Sequence, residues 1–142
     1  MVGKSYDQID LGDSAEFAKT FSEADIYLYA GISGDFNPAH VNEAYARKTY
    51  FKTRIAHGML SAGLISAVIG TQLPGPGSVY MEQTLVFLAP VHMGDTITAR
   101  VEVIEKIDKK KVRLKTTCMN QDKVAVLEGE AIVSPPRPLS KK

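Results

Sequence analysis

The clearest pattern in the chain is an alternation of apolar and polar positions over residues 96–103, TITARVEV. Ile97, Ala99, Val101 and Val103 fall on one face, and Thr96, Thr98, Arg100 and Glu102 on the other. Residues 111–118, KVRLKTTC, alternate in the same way, with Val112, Leu114 and Cys118 inward. A period of two predicts strands of an antiparallel sheet with one wet face. VYMEQTLVFLA and VAVLEGEAIV supply two more strands, the region around Phe17 is a further candidate, and KIDKK and NQDK are the hairpin connections.

The stretch from His57 to Thr71, HGMLSAGLISAVIGT, follows a different rule. Its apolar residues lie on every side of a helical wheel, so it predicts a helix buried on all sides, stopped by Gly70 and the following LPGPG. Upstream, Ser22 with Asp25 three residues later forms an N-cap signal for a short helix through Ile26, Leu28 and Tyr29. Asn42 is placed to cap a second helix, NEAYARKTYF. One buried helix followed by at least four antiparallel strands implies an α+β class: a curved sheet wrapped around a single long apolar helix. Residues 1–142 read as one domain, with the proline-rich SPPRPLSKK from Ser134 expected to extend into solvent.

Composition narrows the partners. The chain is 44% hydrophobic and 23% charged with a net charge of +1, which points to neither nucleic acid nor an anionic membrane as the main partner. The longest apolar run, Met59 to Ile69, is too short to cross a bilayer. A single cysteine, Cys118, excludes an internal disulfide and suits a reducing compartment, so a cytoplasmic setting is expected.

Candidate chemistry concentrates in two short segments. In SGDFNPAH, Gly34 and the Asn37-Pro38 pair favour a turn, which can bring the Asp35 carboxylate and the His40 imidazole into one small volume. Such a pair suits water activation; a rigid turn, with Asp35 binding local amides and His40 packing, accounts for the same residues equally well. In AHGML, Gly58 stands at the head of the buried helix, where backbone N–H groups lack intrahelical partners and the helix dipole favours a developing oxyanion. The plainer alternative is that Gly58 only eases the helix into a crowded core. His57 reads as a structural or capping residue and His92 as solvent-facing. Asp35, His40 and His57 match no recognisable metal-ligand spacing, and no metal is expected. Cys118 lies on an apolar strand face, as inert packing. Lys109, Lys110, Lys111, Arg113 and Lys115 form a solvated hairpin, whereas Arg47, Lys48, Lys52 and Arg54, between the two motif segments, are candidates for meeting phosphates, although a wet helix face explains them equally well.

YAGISGDFNPAH, from Tyr29 to His40, resembles the signature of (R)-specific enoyl-CoA hydratases in the MaoC-like family, and the similarity continues through IAHGMLSAGLISAVIGTQLPGPGSVY and LVFLAPVHMGDTITARVEV. It spans roughly Ala15 to Val133. The resemblance implies a hot-dog fold and reversible hydration of trans-2-enoyl-CoA to (R)-3-hydroxyacyl-CoA. It places the catalytic Asp and His on Asp35 and His40, the oxyanion-hole amide on Gly58, and a serine near the dyad on Ser66. Arg54 is the accompanying candidate for the coenzyme A phosphates. Ala39 stands where many relatives carry a larger aliphatic residue, which bears on the shape of the acyl pocket. Coenzyme A is part of the substrate, so no separate cofactor is implied; a homodimer, or a higher homo-oligomer built from it, is. The alternatives are a dehydratase acting on acyl-carrier-protein substrates, a thioesterase on the same fold, and a non-catalytic acyl-thioester-binding module.

Overall fold

The computed structural model describes residues 2–138. After a 3-10 turn at Tyr6–Gln8 come strand β1 (Ser14–Thr20), helix α1 (Glu23–Ser33), the one-turn helices α2 (Pro38–Val41) and α3 (Glu43–Ala46), and the long helix α4 (Gly58–Thr71). The remaining strands are β2 (Val79–Gln83), β3 (Val86–Phe87), β4 (Thr96–Ile107), β5 (Lys111–Met119) and β6 (Ala125–Ser134). They form one antiparallel sheet in the order β1-β4-β5-β6-β2, with β3 also paired to β6. No described helix is long and apolar enough to cross a membrane.

The alternating strands place their apolar sides as the sequence predicts. Ile97, Ala99, Val101 and Val103 on β4 and Val112, Leu114 and Cys118 on β5 are all buried, in one cluster with Leu64, Ile65, Val68 and Ile69 of α4. Thr116 shares the buried face of β5 and is satisfied there, its hydroxyl oxygen accepting from Gln83 Nε2 at 2.9 Å. Helix α1 starts as expected: the Ser22 hydroxyl accepts from the Asp25 amide, and the Asp25 carboxylate accepts from the Ser22 amide. Lys109 and Lys110 turn the β4–β5 hairpin, both with left-handed backbone angles.

Four expectations are corrected. Helix α4 is not buried on every side: Met59, Gly63, Ser66 and Gly70 form an exposed stripe, because the sheet wraps it from one direction and the opposite side carries mostly small residues. The segment VYMEQTLVFLA is two strands rather than one. Thr84 breaks it, donating its amide to Glu130 O while its own carbonyl passes so close over Gly129 that a Cβ there would lie 1.8 Å away. The helix capped by Asn42 is a single turn, with the Asn42 side chain accepting from the Tyr45 amide. Finally, the tail does not leave the body at Ser134, which ends β6; Pro135 and Pro136 are buried, with Pro136 packed against Gly77. Residues 139–142 lie outside the described part.

Candidate active site

Helix α1 stops at Gly34, whose φ of 79° is the left-handed angle glycine adopts without strain, and whose amide closes the last turn on Ala30 O. The chain then reverses through a tight polar turn. The Asp35 carboxylate accepts from the Asn37 amide at 3.1 Å, and the Asn37 side chain accepts from the Ala39 amide to cap α2. Pro38 at the first helical position fits its fixed φ. His40 therefore emerges from a one-turn helix held by two successive side-chain caps, and it is buried.

His40 Nδ1 lies 2.7 Å from the carbonyl oxygen of Ile55. A carbonyl only accepts, so Nδ1 carries the hydrogen and donates it, leaving Nε2 of the neutral ring as a lone pair. His57 shows the complementary arrangement: its Nε2 is 2.9 Å from the backbone oxygen of Asp35, so Nε2–H donates and Nδ1 is left bare. The two rings stack with centroids 3.8 Å apart, and the Tyr29 ring lies 4.7 Å from the His57 ring at an angle of 60°. Burial above all, with a smaller push from the nearby His40, drives the His57 ring toward its neutral form, against the opposing hydrogen bond that it donates to the Asp35 carbonyl. The ligand-type atoms of Asp35, His40 and His57 all lie within 4.8 Å of one another. These could in principle hold a metal, but stacked imidazoles carry their in-plane lone pairs side by side rather than converging on one point. The geometry suits separate hydrogen bonds better than a tetrahedral centre.

All three residues line a cavity of about 510 Å³, with Gly58, Ser61, Phe51, Met59, Phe87, Val91 and Leu127 among its other walls. The size and the mostly apolar lining with a few convergent polar groups are those of a small-molecule site. Gly58 is the first residue of α4, so its amide belongs to the unpaired set at the helix head. A Cβ there would lie 2.6 Å from the Phe87 ring, so glycine is what allows that wall to close over the helix end.

Sequence reasoning thus brought Asp35, His40 and Gly58 together correctly in space. Ser66 lies on the exposed stripe of α4 and is not among the cavity residues; Ser61, one turn after Gly58, is the helix serine that lines the cavity. Its hydroxyl and His57 Nδ1 are buried polar atoms without a protein partner among the described residues. Arg54 is engaged elsewhere. Its guanidinium meets Glu43 at 3.0 Å and Glu23 at 3.5 Å and bonds the Tyr27 hydroxyl, so it ties the approach to α4 onto α1 and α3 rather than reaching the cavity. His57 occupies the N-cap position of α4 but makes no capping hydrogen bond. The His92 side chain is half-exposed and outside the cavity lining. Cys118 is buried, which pushes its thiol up to about 12, and its Sγ lies 3.5 Å from Ser61 O, as a packing group would.

The chain is also similar to known proteins. A family model described as a MaoC like domain matches residues 8–125. The chain is 61% identical over 132 residues to the (R)-specific enoyl-CoA hydratase of Rhodospirillum rubrum, covering 92% of this chain and 91% of that one. It is 48% identical over 133 residues to a 3-hydroxybutyryl-CoA dehydratase of Methylorubrum extorquens, covering 93% and 84%. Among solved structures, the unliganded R-hydratase PhaJ1 from Pseudomonas aeruginosa superposes with a TM-score of 0.90 at 44% identity, over 99% of this chain and 94% of the other.

Proposed function

We infer that this chain, which belongs to the MaoC-like domain family, is a hydro-lyase that adds water to the double bond of trans-2-enoyl-CoA and gives (R)-3-hydroxyacyl-CoA. One observation supports the residue assignment above all others. The Asp35 carboxylate and the bare Nε2 of His40 share the wall of a cavity that also receives the head of α4.

The Gly58 N–H donates to the thioester carbonyl oxygen, which draws electron density from the conjugated double bond and leaves the β-carbon electrophilic. Asp35 and His40 hold a water between them. The dyad takes a proton from that water as its oxygen bonds to the β-carbon, and a proton returns to the α-carbon as the enolate collapses. One water is added, the dyad ends in its starting protonation state, and no electron is exchanged with a cofactor. Coenzyme A enters and leaves as part of the substrate.

A homodimer is part of the same reading. Val79, Met81, Val86 and Phe87 on β2 and β3 are exposed apolar residues along one edge of the sheet, and the uncovered stripe of α4 carries Met59. A second copy of the chain would cover such an edge. The buried free thiol of Cys118 is compatible with a reducing cytoplasmic setting.

The test is hydration of crotonyl-CoA, followed by loss of its conjugated-thioester absorbance, with the product assigned by dehydrogenases specific for each enantiomer. Wild type should give the (R) product, and folded Asp35→Asn should be slower by about 10²–10⁴. A folded wild type that binds but does not hydrate crotonyl or longer enoyl-CoA would defeat the assignment and turn attention to carrier-protein substrates or a binding role.

A further inference from the structure

We propose that His57 is a positioning residue of the hydration site, whose ring sets the Asp35 backbone and the His40 imidazole relative to the head of α4. The inference rests on the hydratase reading and deepens it.

His57 touches each working part by a different means. Its Nε2–H donates to the Asp35 carbonyl across 22 residues of chain. Its face lies on the His40 ring at a centroid distance of 3.8 Å. Its own backbone leads directly into Gly58, the first residue of α4. The edge contact fixes where Asp35 sits, and the stack fixes the plane in which His40 presents Nε2. No other described residue contacts both dyad members in this way and also adjoins Gly58.

The residue type supports the same view. A helix cap would aim its side chain at the first amides of α4, which His57 does not do. A packing residue would be apolar, yet this one is buried with Nδ1 unpaired. An unpaired buried acceptor is costly. Only a flat ring with a donor at its far edge makes both contacts, and imidazole is the smallest side chain that provides them. Burial disfavours the charged ring, so His57 stays neutral beside a His40 that must gain and lose a proton.

Three variants separate positioning from bulk structure. His57→Gln keeps an amide donor close to the place of Nε2, His57→Asn is too short to reach Asp35, and His57→Phe keeps the stack without the donor. In the folded enzyme, His57→Asn and His57→Phe should lose about 10–100-fold in kcat for crotonyl-CoA, the scale of a small misplacement of catalytic groups, with KM within about threefold. His57→Gln, which restores the donor without the stack, should recover part of that loss. The proposal is overturned if folded His57→Asn matches wild type, if His57→Gln is no better than His57→Asn, or if the defect lies in KM alone. Should His57→Phe fail to fold, the Asn and Gln pair still decides. Nitrogen-15 spectra of wild type supply a check free of folding: His57 should be the neutral Nε2–H tautomer, and an Nδ1–H tautomer would overturn the proposal. A wild type inactive on every enoyl-CoA sinks the hydratase reading and this one with it, whereas an active wild type with an equally active His57→Asn sinks this one alone.

Discussion

Gly58→Ala is the most informative single change at the head of α4, because its effect can be worked from one contact. The added Cβ would lie 2.6 Å from Cε1 and 2.7 Å from Cδ1 of Phe87. Carbon atoms rest at about 3.5–4.0 Å, so the overlap is roughly 1 Å. In a single chain Phe87 is 53% exposed, so its ring can swing at a cost of about 1 kcal/mol rather than forcing the backbone apart, and a second copy packed on that edge would raise the cost. Alanine also favours the helix over glycine by up to about 1 kcal/mol, so thermal stability should change little. Activity should change more. The displaced ring lines the cavity beside the amide that polarises the thioester, and a shift near 1 Å there should cost about tenfold or more in kcat/KM. The assay is a double-mutant cycle on crotonyl-CoA hydration with Gly58→Ala, Phe87→Ala and the pair. Removing the ring should restore most of the rate lost to the methyl group. Equal impairment of the pair and of Gly58→Ala would refute this account and place the obstruction on the substrate itself.

Arg54→Met should lower the melting temperature by several degrees, since it frees Glu43 and Glu23 from a guanidinium whose side chain is only 16% exposed, while KM for crotonyl-CoA stays within about threefold. A tenfold rise in KM with unchanged melting would instead make Arg54 a phosphate contact. Asp25 accepts from the Ser22 amide and pairs with Lys19, which holds its carboxyl below the ordinary range. The stabilisation it gives is thus complete above about pH 4 and fades as pH falls through the lowered value. Asp25→Asn should flatten the acid limb of a denaturation series between about pH 2 and 5, and an unchanged limb would exclude the cap as its source. Gly129→Ala forces a methyl group onto the Thr84 carbonyl, 1.8 Å away in backbone that cannot swing aside. It should cost about 3 kcal/mol or more in urea unfolding, and a neutral result would mean that the Thr84 crossing is looser than described.

The inward residues of β4 and β5 were legible because a strand repeats every two residues, so Ile97 or Leu114 declares its side without reference to the rest of the molecule. Asp35, His40 and Gly58 were legible because turn chemistry and a helix start are also local signals, sharpened by the family resemblance. What escaped depends on distant parts of the chain. Thr84 divides VYMEQTLVFLA into two strands only because Gly129, far along the sequence, lets a carbonyl pass over it. Ser61 and Ser66 look alike on a helical wheel, and choosing between them requires knowing which side of α4 the sheet covers. Pro135 and Pro136 read as tail, yet both are buried, with Pro136 seated against Gly77. Arg54 looked free because Glu43 and Glu23, which neutralise it, lie on other elements. His57 read as a structural or capping residue, and nothing local reveals its reach to the Asp35 carbonyl.

The pairing of β1 with β4 has a consequence for how a ribosome delivers this protein. Thr20 and Thr96, whose hydroxyls meet at the end of that pairing, are 76 residues apart. At typical synthesis rates the first strand waits about 4–15 s for its partner to emerge. Helix α4 is made in that interval and must wait with it, its apolar side uncovered, since β4, β5 and β6 all follow it in the chain. The newborn chain therefore passes through a stage in which its stickiest segment has no sheet to wrap it. A chaperone that shields short apolar helices should raise the yield of active enzyme most when it acts before residue 96 has left the exit tunnel.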